Sequence, residues 1–239
     1  MGQKKLIRFE EIKHFPNVLH FPPAGGPPLA GHEPFRWDHH FGNNHPLVLE
    51  LACGKGDYTL ALARRFANKN FIGVDLKGNR IWKGARTALD EQLTNVAFLR
   101  SRIEGIDRCF APGSVAEIWI TFPDPYLRKS KAKKRLTHLR FLHLYQRILA
   151  AGSTIHLKTD SDELYAFTRE TLRENHCSIL RDVFDIYASA PEEVLRIQTF
   201  YEKMHLQEGR TIHYLAFTLP AQLPPLPEKI QPDARATTR

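Results

Sequence analysis

The sequence predicts an α/β protein with a mostly parallel, seven-stranded sheet and an antiparallel hairpin at one edge. Three observations predict it. Short apolar runs alternate with longer helical stretches from residue 46 to residue 173, and strands connected through helices pair in parallel with right-handed crossovers. Most of these runs are continuously apolar, as strands buried on both faces must be. Two later strand-like runs, near 179–187 and 212–219, lack a long helix directly between them, which suits an antiparallel edge pair.

The elements follow in order. Residues 46–51 (PLVLEL) form the first strand and end at a glycine turn. Asp57 can cap the next helix, whose apolar members are Leu60, Ala61, Leu62, Ala63 and Phe66. Residues 71–74 (FIGV) make the second strand, followed by a helix through Ile81, Ala85, Ala88 and Leu89. Residues 96–99 and 115–122 are the third and fourth strands. A helix over about 139–149, a fifth strand at 154–157 and a helix over about 163–173 complete the alternation. The folded domain is expected to span 37–219. Before it lies an extended segment, 1–36, containing PPAGGPP at 22–28; after it comes a Pro-rich tail, 220–239.

Composition narrows the function classes. The 239 residues include 42% hydrophobic and 25% charged side chains, enough for one sizeable core. There is no apolar run near the length of a membrane span, and the first residues, MGQKKLIRFEE, lack a secretory signal. Cys53, Cys109 and Cys177 are odd in number and far apart, so neither a disulfide framework nor a zinc ribbon is indicated. A reducing cytoplasm fits, and the chain is expected to be a monomer or a homodimer. Asp38-His39-His40 with His45 is one histidine-rich patch with no second cluster to complete a metal site. The net charge of +8 and pI near 9.5 suggest a polyanionic partner, and where the charge sits decides more than its sum.

In sheets of this class ligands bind at the carboxyl ends of the strands, a rule that selects five segments. In the first, Gly54 and Gly56 follow Glu50 at a strand-to-helix turn, where a glycine backbone can approach a ligand closely; the same pattern also suits a plain tight turn. Thr59 stands where a dinucleotide fingerprint would place another glycine, which disfavours a nicotinamide enzyme. In the second, Asp75 ends the second strand, placed to accept ribose hydroxyls or to cap a helix. In the third, prolines flank Asp124 in Phe122-Pro123-Asp124-Pro125, restricting the backbone on both sides and holding a carboxylate in a defined pose. Six of the next residues, Arg128, Lys129, Lys131, Lys133, Lys134 and Arg135, are basic, a phosphate-binding surface or a solvated loop. The fourth is Lys158-Thr159-Asp160. The fifth, Thr199-Phe200-Tyr201-Glu202, offers a hydroxyl and a carboxylate or reads simply as a helix cap.

Phe122-Pro123-Asp124-Pro125, the basic run, Thr159-Asp160 and Thr199-Phe200-Tyr201-Glu202 together resemble the bacterial TrmB-type tRNA (guanine-N7)-methyltransferases over roughly 47–219. The resemblance implies a Rossmann-like class I methyltransferase fold, S-adenosyl-L-methionine as cofactor, and tRNA as partner with guanosine 46 of the variable loop as target. It implies cofactor-site roles for Glu50, Gly54, Gly56, Asp75, Arg102, Ile103 and Asp124, with Asp124 catalytic. Arg128, Asp160, Thr199, Tyr201 and Glu202 fall at substrate-site positions. Three residues depart from the family pattern: Ala52 replaces a glycine of the turn, Tyr126 replaces a tryptophan, and Arg102 stands where many members have an aspartate. Two other readings stay open: an amino-group methyltransferase, which Asp124-Pro125-Tyr126 faintly echoes, and a non-catalytic RNA-binding protein on the same scaffold.

Guanine N7 has an in-plane lone pair and no proton, so its methylation needs no general base. The task is positioning, together with stabilisation of the cationic product by carboxylates that accept hydrogen bonds from the guanine N1–H and amino group. Asp124 and Asp160 are expected to do this, with Glu202 in support.

Overall fold

The computed structural model describes residues 2–21, 33–188 and 191–226. Eight strands, β1 (Val18–His20), β2 (Leu47–Leu51), β3 (Asn70–Asp75), β4 (Val96–Arg100), β5 (Val115–Thr121), β6 (Leu149–Thr159), β7 (Ser178–Val183) and β8 (His213–Thr218), form one sheet in the order β1-β4-β3-β2-β5-β6-β8-β7. Neighbours from β1 through β6 pair in parallel, and β8 runs antiparallel to both β6 and β7. The α-helices are α1 (Gly2–Glu11), α2 (Trp37–Phe41), α3 (Asp57–Arg65), α4 (Gly78–Asp90), α5 (Leu139–Ile148), α6 (Asp162–Glu174) and α7 (Phe200–Gln207).

The central strands show why their sequences lack polar alternation. Every residue of β2 and β3 is buried, because helices cover both faces of the parallel sheet. Successive side chains still point to opposite faces. Leu49 and Leu51 join a core with Phe141, Leu142 and Tyr145 of α5. Val48 joins the other core with Leu60 and Leu62 of α3 and Ile81 and Ala85 of α4. Strand order reverses between β2 and β5, and at such a switch point the carboxyl ends diverge and leave a crevice.

Two expectations need correction. The sheet has eight strands, not seven. The added strand, β1, pairs with β4 along Val18↔Phe98, Leu19↔Leu99 and His20↔Arg100. Three residues are too few to show a period, which is why the sequence hid them. The segment before residue 37 is also not simply extended chain, since it carries α1 and β1. Helix α1 docks on α4, where Trp82 Nε1 donates to Glu11 at 2.5 Å and Arg8 lies over the Trp82 ring.

The start of the expected tail packs down. Leu223 is buried, and Gln146 Nε2 of α5 donates to the Pro220 carbonyl at 2.9 Å. PPAGGPP at 22–28 and residues 227–239 of the tail lie outside the described residues. Among the described residues no helix is long and apolar enough to cross a membrane, and no group of three or more His, Cys, Asp or Glu is placed to hold a metal ion. Asp38 of the histidine-rich patch is engaged by Arg36 at 2.7 Å.

Candidate active site

The site begins where β2 ends. The chain turns through Ala52, Gly54 and Gly56, all at positive φ (58°, 59° and 73°), and enters α3. The two glycines serve different ends. A Cβ on Gly56 would strike the Phe98 ring at 2.6 Å, so this glycine lets the turn pack on the sheet; a Cβ on Gly54 would meet nothing within 4 Å. Gly54 therefore presents bare main chain to open space, as close approach by a ligand requires. Ala52 holds the same left-handed conformation without a glycine's freedom, at a cost of about 1–2 kcal/mol.

Asp75 fixes this turn. Its Oδ2 accepts the Gly54 N–H at 3.0 Å and its Oδ1 accepts the Lys77 N–H at 2.7 Å. Each carboxylate oxygen has a second lone pair, so both can still accept ribose hydroxyls. The donor set of this rim, an acid at the end of β3 beside an open glycine turn, fits an adenosine-containing methyl donor.

Glu50 is buried and acts inside the frame. Oε2 accepts the Thr59 N–H at 2.8 Å and also the Thr59 hydroxyl, while Oε1 accepts the Thr121 hydroxyl at 2.6 Å. One carboxyl thus joins β2, the first turn of α3 and the end of β5. Burial pushes its pKa up to about 7 against the opposing pull of these donors. A pocket of about 60 Å³ opens above it, lined by Glu50, Ala52, Gly54, Thr121, Phe122 and Tyr201 among others. Small-molecule sites usually measure about 300 Å³ or more, so this pocket by itself is too small to enclose a nucleoside-sized ligand.

After β5 the chain departs from ordinary geometry. Phe122 and Tyr126 take φ of 48° and 44° on either side of Pro123-Asp124-Pro125. Positive φ at bulky residues persists only where the surroundings impose it, and such strain clusters at functional sites. The imposed contacts are visible here. Phe122 N–H donates to the Lys158 carbonyl at 2.8 Å, and Asp124 Oδ1 accepts the Tyr126 N–H at 3.1 Å. Asp124 is exposed and lies beyond the lining of the small pocket, on the segment that leads out of it.

The basic run separates into two kinds of residue. Arg128, Lys129, Lys131, Lys133 and Lys134 are exposed on and beside a 3-10 turn over Lys129–Lys134. Arg135 is buried. Its guanidinium donates to the carbonyls of Pro125 at 2.9 Å and Tyr126 at 3.2 Å and lies over the Phe167 ring. Grouping it with the phosphate-binding surface is corrected on this point: Arg135 clamps the loop that carries Asp124.

The two downstream segments divide similarly. Thr199 and Glu202 form a reciprocal capping box at the start of α7, so the helix-cap reading of this segment holds for both. Glu202 is fully buried and pairs with the equally buried Lys158 at 2.6 Å. Its Oε1 also accepts the Tyr187 hydroxyl at 2.8 Å, and Lys158 Nζ donates further to the carbonyls of Leu195 and Ile197. Burial draws Glu202 above and Lys158 below their usual ranges. Direct substrate contact by Glu202 is corrected accordingly: it anchors α7 from beneath, while Tyr201 lines the pocket. Lys158 and Tyr187 are the partners that sequence reasoning missed.

Asp160 is partly buried, and its Oδ2 accepts from Arg210 at 2.7 Å. His205 Nδ1 is 3.2 Å from the same oxygen but is not aligned to hydrogen bond. Arg102 is exposed and Ile103 half-buried at the end of β4, next to Ser101, whose N–H donates to the Asp75 carbonyl at 3.2 Å. Neither residue lines the pocket beside Gly54.

Comparison with known proteins agrees with this geometry. A family profile described as "Putative methyltransferase" matches residues 44–215. The chain is 48% identical to a tRNA (guanine-N(7)-)-methyltransferase of Porphyromonas gingivalis, over 88% of this chain and 85% of the relative. It is 45% identical to the protein of the same name in Christiangramia forsetii, over 92% of this chain and the whole of the relative. In fold it is similar to the 16S rRNA methyltransferase KamB, with a TM-score of 0.60 at 14% identity over 79% of this chain and 95% of that one. A SAM-dependent methyltransferase from Aquifex aeolicus matches with a TM-score of 0.53 at 13% identity, over 76% and 87% of the two chains. The chain belongs to the TrmB-type tRNA (guanine-N7)-methyltransferase family, on the fold of the class I S-adenosylmethionine-dependent methyltransferases.

Proposed function

We propose that this protein methylates N7 of guanosine 46 in the variable loop of tRNA, in the cytoplasm, and that Asp124 is the catalytic residue. The observation that carries the reading is a juxtaposition. The Gly54 main chain, the Asp75 carboxylate and the strained segment bearing Asp124 all stand at the carboxyl ends of neighbouring strands, with five exposed cations just beyond. The relatives' names support the same substrate and atom.

S-adenosylmethionine supplies the transferable sulfonium methyl. The Gly54 main chain and Asp75 would hold it, and Glu50 keeps their turn rigid from within. Asp124 accepts from the Watson–Crick edge of guanine, aims N7 in line with the methyl, and offsets the charge that grows on the base. Its Oδ2 has no hydrogen-bond partner among the described residues, which leaves it open for this. Asp160 takes the second acceptor position through Oδ1, with Arg210 holding Oδ2. Arg128, Lys129, Lys131, Lys133 and Lys134 grip phosphates, and Tyr126 and Tyr201 offer ring faces to a base that leaves its stack.

Incubation with labelled S-adenosylmethionine and bulk tRNA, followed by nucleoside analysis and mapping, tests this. The expected product is 7-methylguanosine at position 46. A methyl on an exocyclic amine would identify an amino-group methyltransferase instead, and failure to bind the donor would leave a non-catalytic RNA-binding protein.

A further inference from the structure

The described residues also form a concavity far larger than the rim pocket. It is an open groove of about 690 Å³ beside that pocket, between α3, α4, the 3-10 turn Glu193–Arg196 and the start of α7. Six cations line it: Lys55, Arg64, Arg65, Lys83, Arg196 and Lys203. Asp57 is the sole acid of the lining, and that carboxylate already accepts the Phe200 N–H at 3.2 Å.

The cations are unequally engaged. Arg64 is held by Glu91 at 2.7 Å and Arg65 approaches Glu193 at 3.4 Å. Lys83 and Lys203 are exposed and have no ion pair or side-chain hydrogen bond among the described residues. Among the described residues Arg196 keeps a single side-chain bond, from Nε to the Pro191 carbonyl. Unpaired cations gathered in a concave wall repel one another and focus a positive potential.

The shape selects the ligand. A single phosphate would be matched by two or three converging donors, whereas these cations are spread over four elements and the turn that carries Lys55, along an open trough. Spread charge of one sign suits a polyanion that passes along it. At its junction with the rim pocket, Lys55 Nζ sits 4.2 Å from the centroid of the Phe200 ring, and that residue is 50% exposed. An exposed aromatic among cations is the pattern on which single-stranded or unstacked bases settle.

The groove and the basic loop are on opposite faces of the sheet. Arg135 roots the loop on Phe167, which packs on the core shared with α5. The groove is built on α3 and α4, which pack on the other core. We infer that this groove is a second RNA-binding surface, holding the phosphodiester backbone of the same tRNA whose target guanosine enters the rim. The tRNA is thereby gripped on both sides of the reacting base. This rests on the reading of tRNA as substrate.

The test uses the full chain and an unmodified tRNA transcript. Lys83 and Lys203 are changed together to Gln, and affinity is measured across a salt series. Each lost phosphate contact lowers the slope of log affinity against log salt by about 1, so the K83Q/K203Q slope falls by about 2. Affinity for S-adenosylmethionine and turnover at saturating tRNA stay at the wild-type level. In the unaltered protein, tRNA protects Lys83 and Lys203 from acetylation and the methyl donor alone does not.

An unchanged slope with both lysines still reactive overturns the inference. So does a variant that binds tRNA normally but loses self-association, because the occupant is then a second copy of the chain. Methylation of guanine N7 by a wild-type protein whose groove lysines remain unprotected refutes the groove alone. Protection of the groove without N7 methylation refutes the catalytic reading and leaves the groove standing.

Discussion

Asp124 and Glu202 are both carboxylates within two positions of a residue that lines the rim pocket, yet their surroundings are opposite. Asp124 is exposed on a proline-braced loop, with one oxygen tied to the Tyr126 N–H and the other open among the described residues. Glu202 is fully buried, and its oxygens already serve Lys158, Tyr187 and Thr199. The contrast separates two ways in which an acid supports a reaction. An open lone pair can change partner during the reaction. A saturated one can only hold its neighbours still, and through them the loop or helix that faces the substrate.

The sharpest stress on this contrast is removal of one member of the buried pair. Glu202→Ala strands Lys158 without a counterion, a loss of about 3–5 kcal/mol, measured by urea unfolding. The double change Lys158→Met with Glu202→Leu is expected to regain most of that stability. If Glu202→Ala unfolds like the wild type, the buried anchor is not one.

Arg135→Ala comes next. It removes two charge-assisted hydrogen bonds to the Asp124 loop, each worth about 1.5–3 kcal/mol, and the stack on Phe167. Lysine in its place is expected to rescue little, since one ammonium cannot reproduce the planar fork. Turnover is expected to fall more than donor affinity, because the clamp holds Asp124 and not Asp75. Equal loss of both would place Arg135 in the general core.

Glu50 gives the contrast a pH dependence. Burial raises its folded pKa from the ordinary 4.5 to about 7. Between these values the unfolded chain has released the proton and the folded chain retains it, so folding stability declines as pH rises through that window and is level outside it. Glu50→Gln is expected to abolish this decline in thermal melts between pH 4.5 and 7. A slope that survives the substitution would assign it to another group.

The smallest effect is at Ala52. Ala52→Gly relieves a φ of 58° and is expected to stabilise the fold by about 1 kcal/mol or less, because glycine loses more chain entropy on folding. Donor affinity stays the same. Destabilisation by this change would mean the alanine methyl contributes more packing than its backbone costs.

The legible parts of the molecule are the local ones. A strand, a glycine turn and a helix follow one another within 46–65, so the turn and Asp75 could be read from spacing. Asp124 stood out because prolines on both sides leave few conformations. What escaped depends on contacts far apart in the chain. Lys158 finds Glu202 across 44 positions, and nothing near either residue announces the pair. Thr199 and Glu202 do carry a local signal, since Thr-x-x-Glu is a capping pattern, and the structure fulfils it as a cap. Arg135 is chemically indistinguishable from its neighbours in the basic run, and only burial against Phe167 sets it apart. Strand β1 is three residues long and owes its existence to the free edge of β4.

The most direct measurement is single-turnover methyl transfer to tRNA by Asp124→Ala, read beside its affinity for S-adenosylmethionine. Donor binding within a few-fold of wild type, with the transfer rate reduced on the order of a hundredfold or more, is the predicted result. Wild-type transfer by this variant would contradict the central claim that Asp124 is the group whose open oxygen orients the base.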